Sequence, residues 1–103
     1  MQKGRTKSMT NIIEATAIIE VKAGHADEFE SLLNEFEIQT NKEEGCLEFR
    51  FFREIGESNR FVLWEVFQNQ EALTKHIEMS HTKEIFSKGL IESTDVIKHR
   101  KVV

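Results

Sequence analysis

Two histidines and one glutamate are the side chains of this sequence whose types and positions suggest chemistry. His76 and His81 lie five residues apart in a predicted helical segment, and Glu65 lies in the apolar stretch RFVLWEVFQ before it. An imidazole can change its charge near neutral pH, so a histidine that lines a pocket is suited to proton transfer. A carboxylate among apolar neighbours either has an ion-pair partner or has a raised pKa, because burial disfavours its charged form. These three residues are therefore the candidate catalytic groups.

The spacing of the histidines limits what they can do together. Five residues of α-helix turn through roughly 500°, so the two side chains of one continuous helix would point about 140° apart. The i, i+4 spacing of a helical zinc pair is absent and the segment offers no third ligand, so we predict no metal site. A break between Glu78 and Ser80 would instead let His81, on the first turn of a new helix, turn toward the same cleft as His76. The alternative is that each histidine is a solvated or capping side chain.

The environment of Glu65 follows from strand alternation. The alternation places Glu65 on one face with Phe61, Leu63 and Phe67. A structural ion pair with a Lys, an Arg or a protonated His is one interpretation, and a pocket acid or base is the other. Cys46 begins a predicted strand and is expected to behave as a small, inert hydrophobic residue.

The elements that must position these groups follow from the apolar periodicity. Residues 12–22 and 90–103 are predicted strands, and residues 46–54 and 60–68 form a predicted hairpin. Residues 23–40 form an amphipathic helix. A second helix begins at an Asn69 N-cap and breaks at Ser80, a second cap, from which a new helix runs to Lys88 before Gly89. The order β-α-β-β-α-β is typical of a ferredoxin-like α+β subunit.

Side-chain alternation within the hairpin predicts a buried cleft and an apolar outer face. Leu47, Phe49 and Phe51 are expected on one side of the strand 46–54, and Cys46, Glu48, Arg50 and Phe52 on the other. Two helices can cover only one face of a four-stranded sheet. The uncovered face would expose Phe52, Val62 and Trp64, a patch that soluble monomers avoid. We therefore expect a homodimer in which two such faces pack together.

Composition excludes several classes of function. The 103 residues suffice for one domain, predicted at 11–103, after a polar and disordered extension at 1–10. The net charge is −4, and residues 1–8 carry three basic residues and no acid, so the remainder of the chain is more acidic than this total. Because binding to nucleic-acid phosphates needs clustered Lys and Arg, we expect no nucleic-acid partner. No apolar run is long enough to cross a membrane, and no apolar segment follows the basic N-terminus as in a secretory signal. A single cysteine fits a cytoplasmic location.

The segments EEGCLEFRFFRE and RFVLWEVFQNQEALTKHIEMSH resemble the antibiotic biosynthesis monooxygenase (ABM) superfamily. The shared pattern is a Glu-Gly-Cys-like turn into a strand, an apolar strand with a glutamate, an Ala-Leu helix and a His-x4-His segment. In this chain these elements are Glu44, Gly45, Cys46, Glu65, Ala72, Leu73, His76 and His81. The resemblance implies a dimeric α/β barrel of ferredoxin-like subunits, each with a ligand cleft between its sheet and its helices.

The branches of the superfamily differ at positions that can be compared one by one. The polyketide-oxidising branch has Asn, Trp and Tyr where this chain has Leu63, Phe67 and Leu73. The haem-degrading branch has a helical histidine ligand at a position that falls near Ile85 or Phe86 here, and a first-strand Asn at a position that falls near Ala17. Neither the polyketide-oxidising site nor the haem-degrading site therefore matches this chain. The pattern of Glu65, His76 and His81 instead fits the quinol monooxygenase and autoinducer-2-processing branches.

The resemblance therefore implies a monooxygenase that acts on a quinol-like aromatic molecule, with O2 as co-substrate and without a metal, flavin or other cofactor. His76, His81 and Glu65 are the expected catalytic groups. The expected substrate-binding residues are Phe29, Phe49, Phe51, Leu63 and Phe67. The alternatives are an isomerase or other processing enzyme for a small phosphorylated signal molecule, and a non-catalytic module that binds haem or another hydrophobic ligand.

Overall fold

The computed structural model describes residues 11–56 and 58–103, which form a four-stranded antiparallel sheet with helices on one face. The strands are β1 (Ile13–Val21), β2 (Cys46–Arg53), β3 (Arg60–Phe67) and β4 (Ile91–His99). The helices are α1 (Ala26–Asn41), α2 (Gln70–Glu78) and α3 (Ser80–Ser87). The sheet order β2-β3-β1-β4 confirms the predicted ferredoxin-like arrangement. The extension predicted at residues 1–10 lies outside the described residues.

Small residues on the central strand β1 leave space beneath the helices. Ala15, Ala17, Ile19 and Val21 point toward the helices and are buried, as the alternation predicts. Ala15 pairs with Glu65 of β3 on one side and with Lys98 of β4 on the other. Because Ala15 and Ala17 fill little volume, their part of the row leaves space that branched side chains would fill, and Ala17 lines the resulting cavity.

Helix α1 packs its apolar stripe on the sheet and also closes one sheet edge. Phe29, Leu33 and Phe36 are buried along the stripe, as the i, i+4, i+7 spacing predicts. At the edge strand β2, the Phe51 backbone N–H donates to Glu37 Oε2 at 2.6 Å, and Asn41 Nδ2 donates to the Phe49 carbonyl at 3.1 Å. Side chains of α1 therefore hydrogen-bond backbone N–H and C=O groups that an edge strand would otherwise leave without partners.

A β-bulge at the start of β2 changes the predicted alternation. The pairing shifts between Cys46, which faces Phe67, and Glu48, which faces Val66. A bulge places two consecutive residues against one partner position, so side chains before it reverse their faces. Cys46 consequently packs against the core, while the side chain of Leu47 is 49% exposed. The predicted faces of Cys46 and Leu47 were therefore wrong, and those of Phe49 and Phe51 were right.

The helical region after β3 is broken where the sequence predicts. Asn69 caps α2, with Oδ1 accepting from the Ala72 N–H at 2.8 Å, and Met79 has an extended ψ of 148° between α2 and α3. The prediction that Ser80 is a cap was wrong, because Met79 holds that position without a side-chain cap bond. Helix α3 ends before Gly89, whose φ of +71° suits a glycine. Strand β4 ends at His99, so its prediction to residue 103 was too long.

The sheet face away from the helices carries apolar side chains. Phe52 is 52% exposed and Ile97 is 61% exposed, and Val62 and Trp64 are half-buried. Trp64 Nε1 donates to Glu14 Oε2 at 2.8 Å. This face is the one that the sequence assigns to a dimer interface, and that assignment stays a prediction. Within the described part of the chain, no helix has the length and apolar character needed to cross a membrane.

Gly45 lies where the turn before β2 touches helix α2, and a larger residue should not fit there. A Cβ atom at this position would overlap the Cβ of Ala72. We expect Gly45→Ala to lower the free energy of unfolding by about 1–3 kcal/mol, measured by urea denaturation. Ala72→Gly alone should cost roughly 1 kcal/mol as a glycine in a helix. The double variant should be more stable than the sum of the two losses predicts, and additive losses would contradict the predicted overlap.

Candidate active site

A cavity of about 340 Å3 lies between the sheet and the helices. This volume lies within the range of small-molecule sites, and the surface that lines the cavity is mostly apolar. Four of the predicted substrate-binding residues line it, namely Phe29, Phe49, Phe51 and Leu63. The fifth, Phe67, is not among the lining residues and is fully buried against His76, with ring centroids 5.1 Å apart. The cavity can therefore hold a flat apolar molecule against aromatic side chains.

His76 lines this cavity and is held among aromatic rings. Its residue is only 4% exposed, and its ring centroid lies 5.1 Å from that of Phe49 and 6.0 Å from that of Phe36, to which it is nearly parallel. Burial lowers the pKa of His76, and the hydrogen bond that His76 donates to Glu43 opposes this shift. The neutral imidazole is consequently favoured in the folded protein.

Glu43, in the turn between α1 and β2, joins the two histidines. Its Oε2 lies 3.0 Å from His76 Nδ1 and 2.5 Å from His81 Nε2. The Glu43 side chain is only 7% exposed. The break at Met79 is what allows this convergence, because it lets α3 begin in a new direction and bring His81 back toward His76. Thr82 adds a hydroxyl 3.4 Å from His76 Nδ1.

The hydrogen bond to Glu43 determines which nitrogen of His76 is free. A carboxylate can only accept, so Nδ1 must carry the proton that is donated to Glu43. A neutral imidazole carries a single ring proton, and Nε2 is then an acceptor with a free lone pair. Because His76 lines the cavity and its Nδ1 is occupied, Nε2 is the nitrogen available to a bound molecule. A carboxylate that orients an imidazole in this way is a recurrent arrangement for a general base.

His81, the second histidine that contacts Glu43, does not reach the main cavity. It lines a separate hollow of about 120 Å3, together with Phe36 and Lys88, and does not line the main cavity. Its side chain is 20% exposed. The structure therefore brings His76 and His81 onto one carboxylate, but it places only His76 at the cavity wall.

Glu65 enters the same cavity from the middle of the sheet. It follows Leu63 on the inner face of β3, and its neighbours across the sheet are Phe49 on β2 and Ala15 on β1. Among the residues described by the structure, no cation lies within ion-pair distance of its carboxylate. Lys98 also lines the cavity, but it is two strands away, roughly 10 Å between backbones. Burial without a partner raises the pKa of Glu65 to about 7.

The raised pKa of Glu65 predicts a pH-dependent stability. Between about pH 4.5 and pH 7 the unfolded chain loses this proton while the folded chain retains it, so stability falls as pH rises through this window. We expect Glu65→Gln to match the wild-type protein near pH 4.5 and to exceed it at pH 8 by about 1–3 kcal/mol. Urea denaturation across this range measures the difference. Glu92→Gln, on exposed β4, is the control, and equal effects of the two substitutions would contradict the prediction.

Cys46 is not placed for nucleophilic chemistry. Burial is the largest cause that raises its thiol pKa, to about 11, and the neighbouring carboxylates of Glu43, Glu65 and Glu48 act in the same direction. A thiol with this pKa is almost entirely protonated at neutral pH and is a poor nucleophile. This agrees with the expectation of an inert residue.

Glu43 is the member of the site that the sequence analysis did not single out. It lies in the turn NKEEG, where exposed acids are common, and its distance from the histidines along the chain gives no periodic signal. The topology supplies the missing connection. The turn before β2 and the turn after β3 meet at the same end of the sheet, where the Gln68 N–H donates to the Gly45 carbonyl at 2.8 Å.

Comparison with known proteins identifies the family. The sequence profile of the antibiotic biosynthesis monooxygenase family matches residues 12–88, and the chain belongs to this family. "Putative monooxygenase YcnE" of Bacillus subtilis is 31% identical over 78 residues, which are 76% of this chain and 82% of YcnE. YjcS of the same organism is 36% identical over 56 residues, which are 54% of this chain and 53% of YjcS. The chain thus spans about half the length of YjcS, and about half that of sll1783 of Synechocystis.

Solved structures share the whole fold. A conserved protein from Methanosarcina mazei Go1 has a TM-score of 0.78 at 28% identity and covers 94% of this chain and 98% of its own. PA3566 from Pseudomonas aeruginosa has a TM-score of 0.83 over 92% of this chain and 98% of its own, and its 23% identity supports the fold alone.

Proposed function

We propose that this protein is a monooxygenase that oxidises a quinol-like aromatic molecule with O2, using His76 as a general base. The observation that carries the proposal is a buried imidazole at the wall of an aromatic cavity, with Nδ1 3.0 Å from the Glu43 carboxylate. This hydrogen bond leaves Nε2 as the acceptor nitrogen of the neutral ring. Membership of a family named for monooxygenases, and the likeness to YcnE, support the reaction type. The substrate class is inferred from the cavity.

The reaction begins with proton transfer from a phenolic hydroxyl to His76. A phenol is a weak acid, and its anion is much richer in electrons than the neutral molecule. The imidazolium that forms is stabilised by Glu43, since the carboxylate lies 3.0 Å from Nδ1. His76 is suited to this step because its lowered pKa keeps it neutral, and therefore able to accept the proton, near pH 7.

The electron-rich anion then reacts with O2 inside the cavity. One electron passes from the anion to O2, and the two radicals combine through a new C–O bond to give a peroxide at a ring carbon. The peroxide takes the proton back from His76 and then loses water, which includes the hydrogen of the attacked ring carbon. The O–O bond breaks, and a carbonyl oxygen, or the hydroxyl of its enol form, remains on the ring. In total the substrate loses two hydrogen atoms and gains one oxygen atom, and the second oxygen of O2 leaves as water. The apolar walls keep bulk water from the anion and radical pair.

In this proposal Glu65 and Lys98 stabilise the negative charge of the substrate anion. Both line the cavity, and a pKa of about 7 keeps a large share of Glu65 protonated at neutral pH. A protonated carboxyl can donate a hydrogen bond to a phenolate oxygen, which an ionised carboxyl cannot. Lys98 supplies a positive charge from the β4 side.

The proposal is tested by oxygen consumption with a panel of hydroquinones that includes 1,4-dihydroxynaphthalene. We expect uptake of one O2 per substrate molecule and a product that carries one added oxygen atom, which is labelled when 18O2 is used. His25→Ala is the matched control, because the His25 side chain is exposed at the start of α1 and does not line the cavity. An enzyme-independent rate with every quinol tested, or a product without the label, would contradict the proposal.

The isomerase alternative uses the same groups without O2. His76 and Glu65 would suffice to move a proton on a small phosphorylated molecule. The cavity walls disfavour that substrate, because most of their surface is apolar and, among the residues that the structure describes, Lys98 is the one cation that lines the cavity. An aromatic substrate is therefore the better match.

We also propose that the protein works as a cytoplasmic homodimer through the open sheet face. Phe52, Val62, Trp64 and Ile97 would be covered, and this burial would offset the cost of association. Sedimentation equilibrium should give twice the chain mass of 12.0 kDa. A monomer at every concentration would contradict the dimer and leave the cavity chemistry as proposed.

A further inference from the structure

We infer that Glu43, His76 and His81 form a binding site for one divalent transition-metal ion of the Zn2+ class. Each residue offers one ligand atom, and the three atoms lie within 4.8 Å of one another. His76 Nδ1 and His81 Nε2 approach the same carboxylate oxygen, at 3.0 Å and 2.5 Å. The residues come from three elements, so the break between α2 and α3 is what assembles the site.

The donor set favours particular metals. Two imidazoles and one carboxylate are ligands that Zn2+, Co2+, Ni2+ and Fe2+ accept, whereas Mg2+ and Ca2+ prefer oxygen ligands alone. A bound Zn2+ lies roughly 2.0–2.2 Å from nitrogen and oxygen ligands. An ion at the centre of the three atoms therefore requires only small side-chain movements. Three protein ligands leave a coordination position for water.

The proton balance also permits binding. An ion at Nδ1 of His76 and at Nε2 of His81 moves the single proton of each ring to its other nitrogen, and both rings stay neutral. Glu43 contributes one negative charge that offsets part of the charge of the ion. In this buried setting the attraction between carboxylate and cation is stronger than it would be in water.

The ion can reach the site from the surface. His81 lines one surface hollow, and Glu43 lines another. In each hollow the acids outnumber the lysines: Glu35 and Glu84 with Lys88 in the first, and Glu43, Glu44 and Glu71 with Lys75 in the second. This excess of negative charge raises the local concentration of cations.

Metal binding has a consequence for the proposed reaction, and this part of the inference rests on the proposed function. An ion on Nδ1 fixes the proton of His76 on Nε2, the nitrogen that would otherwise accept the substrate proton. Nε2 then becomes a donor. We therefore expect one equivalent of Zn2+ to inhibit oxygen uptake, with recovery after chelation.

The experiment measures binding without substrate or O2. The full chain is titrated with Co2+, followed by its visible absorption, and with Zn2+ by calorimetry. We expect one ion per chain. His81→Ala and Glu43→Gln should each weaken binding by more than about 100-fold, because each removes a direct ligand. His25→Ala and His99→Ala, which change the two histidines outside the cluster, should each leave the affinity unchanged.

The outcomes separate the metal site from the oxygenase. Tight binding that His81→Ala weakens supports the inference even if no quinol is oxidised. Absence of one-to-one binding, or an affinity that is the same in wild-type and His81→Ala proteins, overturns it and leaves the oxygenase standing. Circular dichroism verifies that His81→Ala is folded, as expected for a side chain that is partly exposed. His81→Cys, which restores a metal ligand at this position, should recover part of the affinity, and failure to do so counts against the site.

Discussion

Replacement of His76 by glutamine should lower the rate of quinol-dependent oxygen uptake at saturating substrate by about 10²–10⁴-fold. The amide cannot accept a proton at neutral pH, so the step that forms the electron-rich anion loses its base. Glutamine keeps a polar group in place of the imidazole, and its side-chain amide can still donate to Glu43. The loss should appear mainly in kcat, because the aromatic walls that bind the substrate are unchanged.

The His76→Gln measurement has two controls. His25→Ala should keep the wild-type rate, since the His25 side chain is exposed, hydrogen-bonds Glu28 at the start of α1 and does not line the cavity. A substrate supplied as its anion at alkaline pH should reduce the difference between wild-type protein and His76→Gln, because the base is no longer needed. If His76→Gln loses no activity, or loses equal activity with neutral and anionic substrate, His76 is not the base.

Replacement of Glu43 by glutamine should have the second-largest effect, although Glu43 does not line the cavity. Without the carboxylate, the proton of His76 is no longer directed to Nδ1 and the imidazolium loses its negative partner. We expect kcat to fall by at least about 10²-fold. The free energy of unfolding should fall by roughly 1–3 kcal/mol, since a buried group loses its charge-assisted hydrogen bonds.

The neighbouring residue provides the matched control for Glu43. Glu44 is the next residue in the same turn and is exposed, so Glu44→Gln removes the same charge from nearly the same place. It should change neither kcat nor stability by a measurable amount. Oxygen uptake and urea denaturation are measured for Glu43→Gln and Glu44→Gln. Equal effects of the two substitutions would show that the loss comes from the change in net charge and would contradict a role for the hydrogen bonds of Glu43.

The fold could be predicted because its signals are local and periodic. Alternation on β1 and β3, the stripe of Phe29, Leu33 and Phe36, and the Asn69 cap each depend on a few neighbouring residues. The bulge at Cys46 could not be predicted this way. One extra residue in a strand pairing does not change the apolar periodicity of the sequence. The resulting reversal of side-chain faces is visible only in the register between β2 and β3.

The site could be predicted in part. His76, His81 and Glu65 attract notice because of their types and settings, and the helix break that brings the histidines together has a sequence signal. The partnership with Glu43 has none, because it depends on a turn more than thirty residues earlier that packs against α2. The absence of an ion-pair partner for Glu65 among the described residues also has no signal in the sequence. It depends on the strand order, which places Lys98 two strands away from Glu65.

The floor of the cavity and the proton-transfer groups belong to different parts of the chain. Ala17 forms part of the floor on β1, while Glu43 and His76 lie on the turn before β2 and on α2. A larger residue on β1 would therefore shorten the accessible substrate without moving the base. Proteins with this topology can thus change the molecules they accept while they keep one reaction. A library of variants substituted only on β1 would therefore be an efficient way to change substrate selectivity.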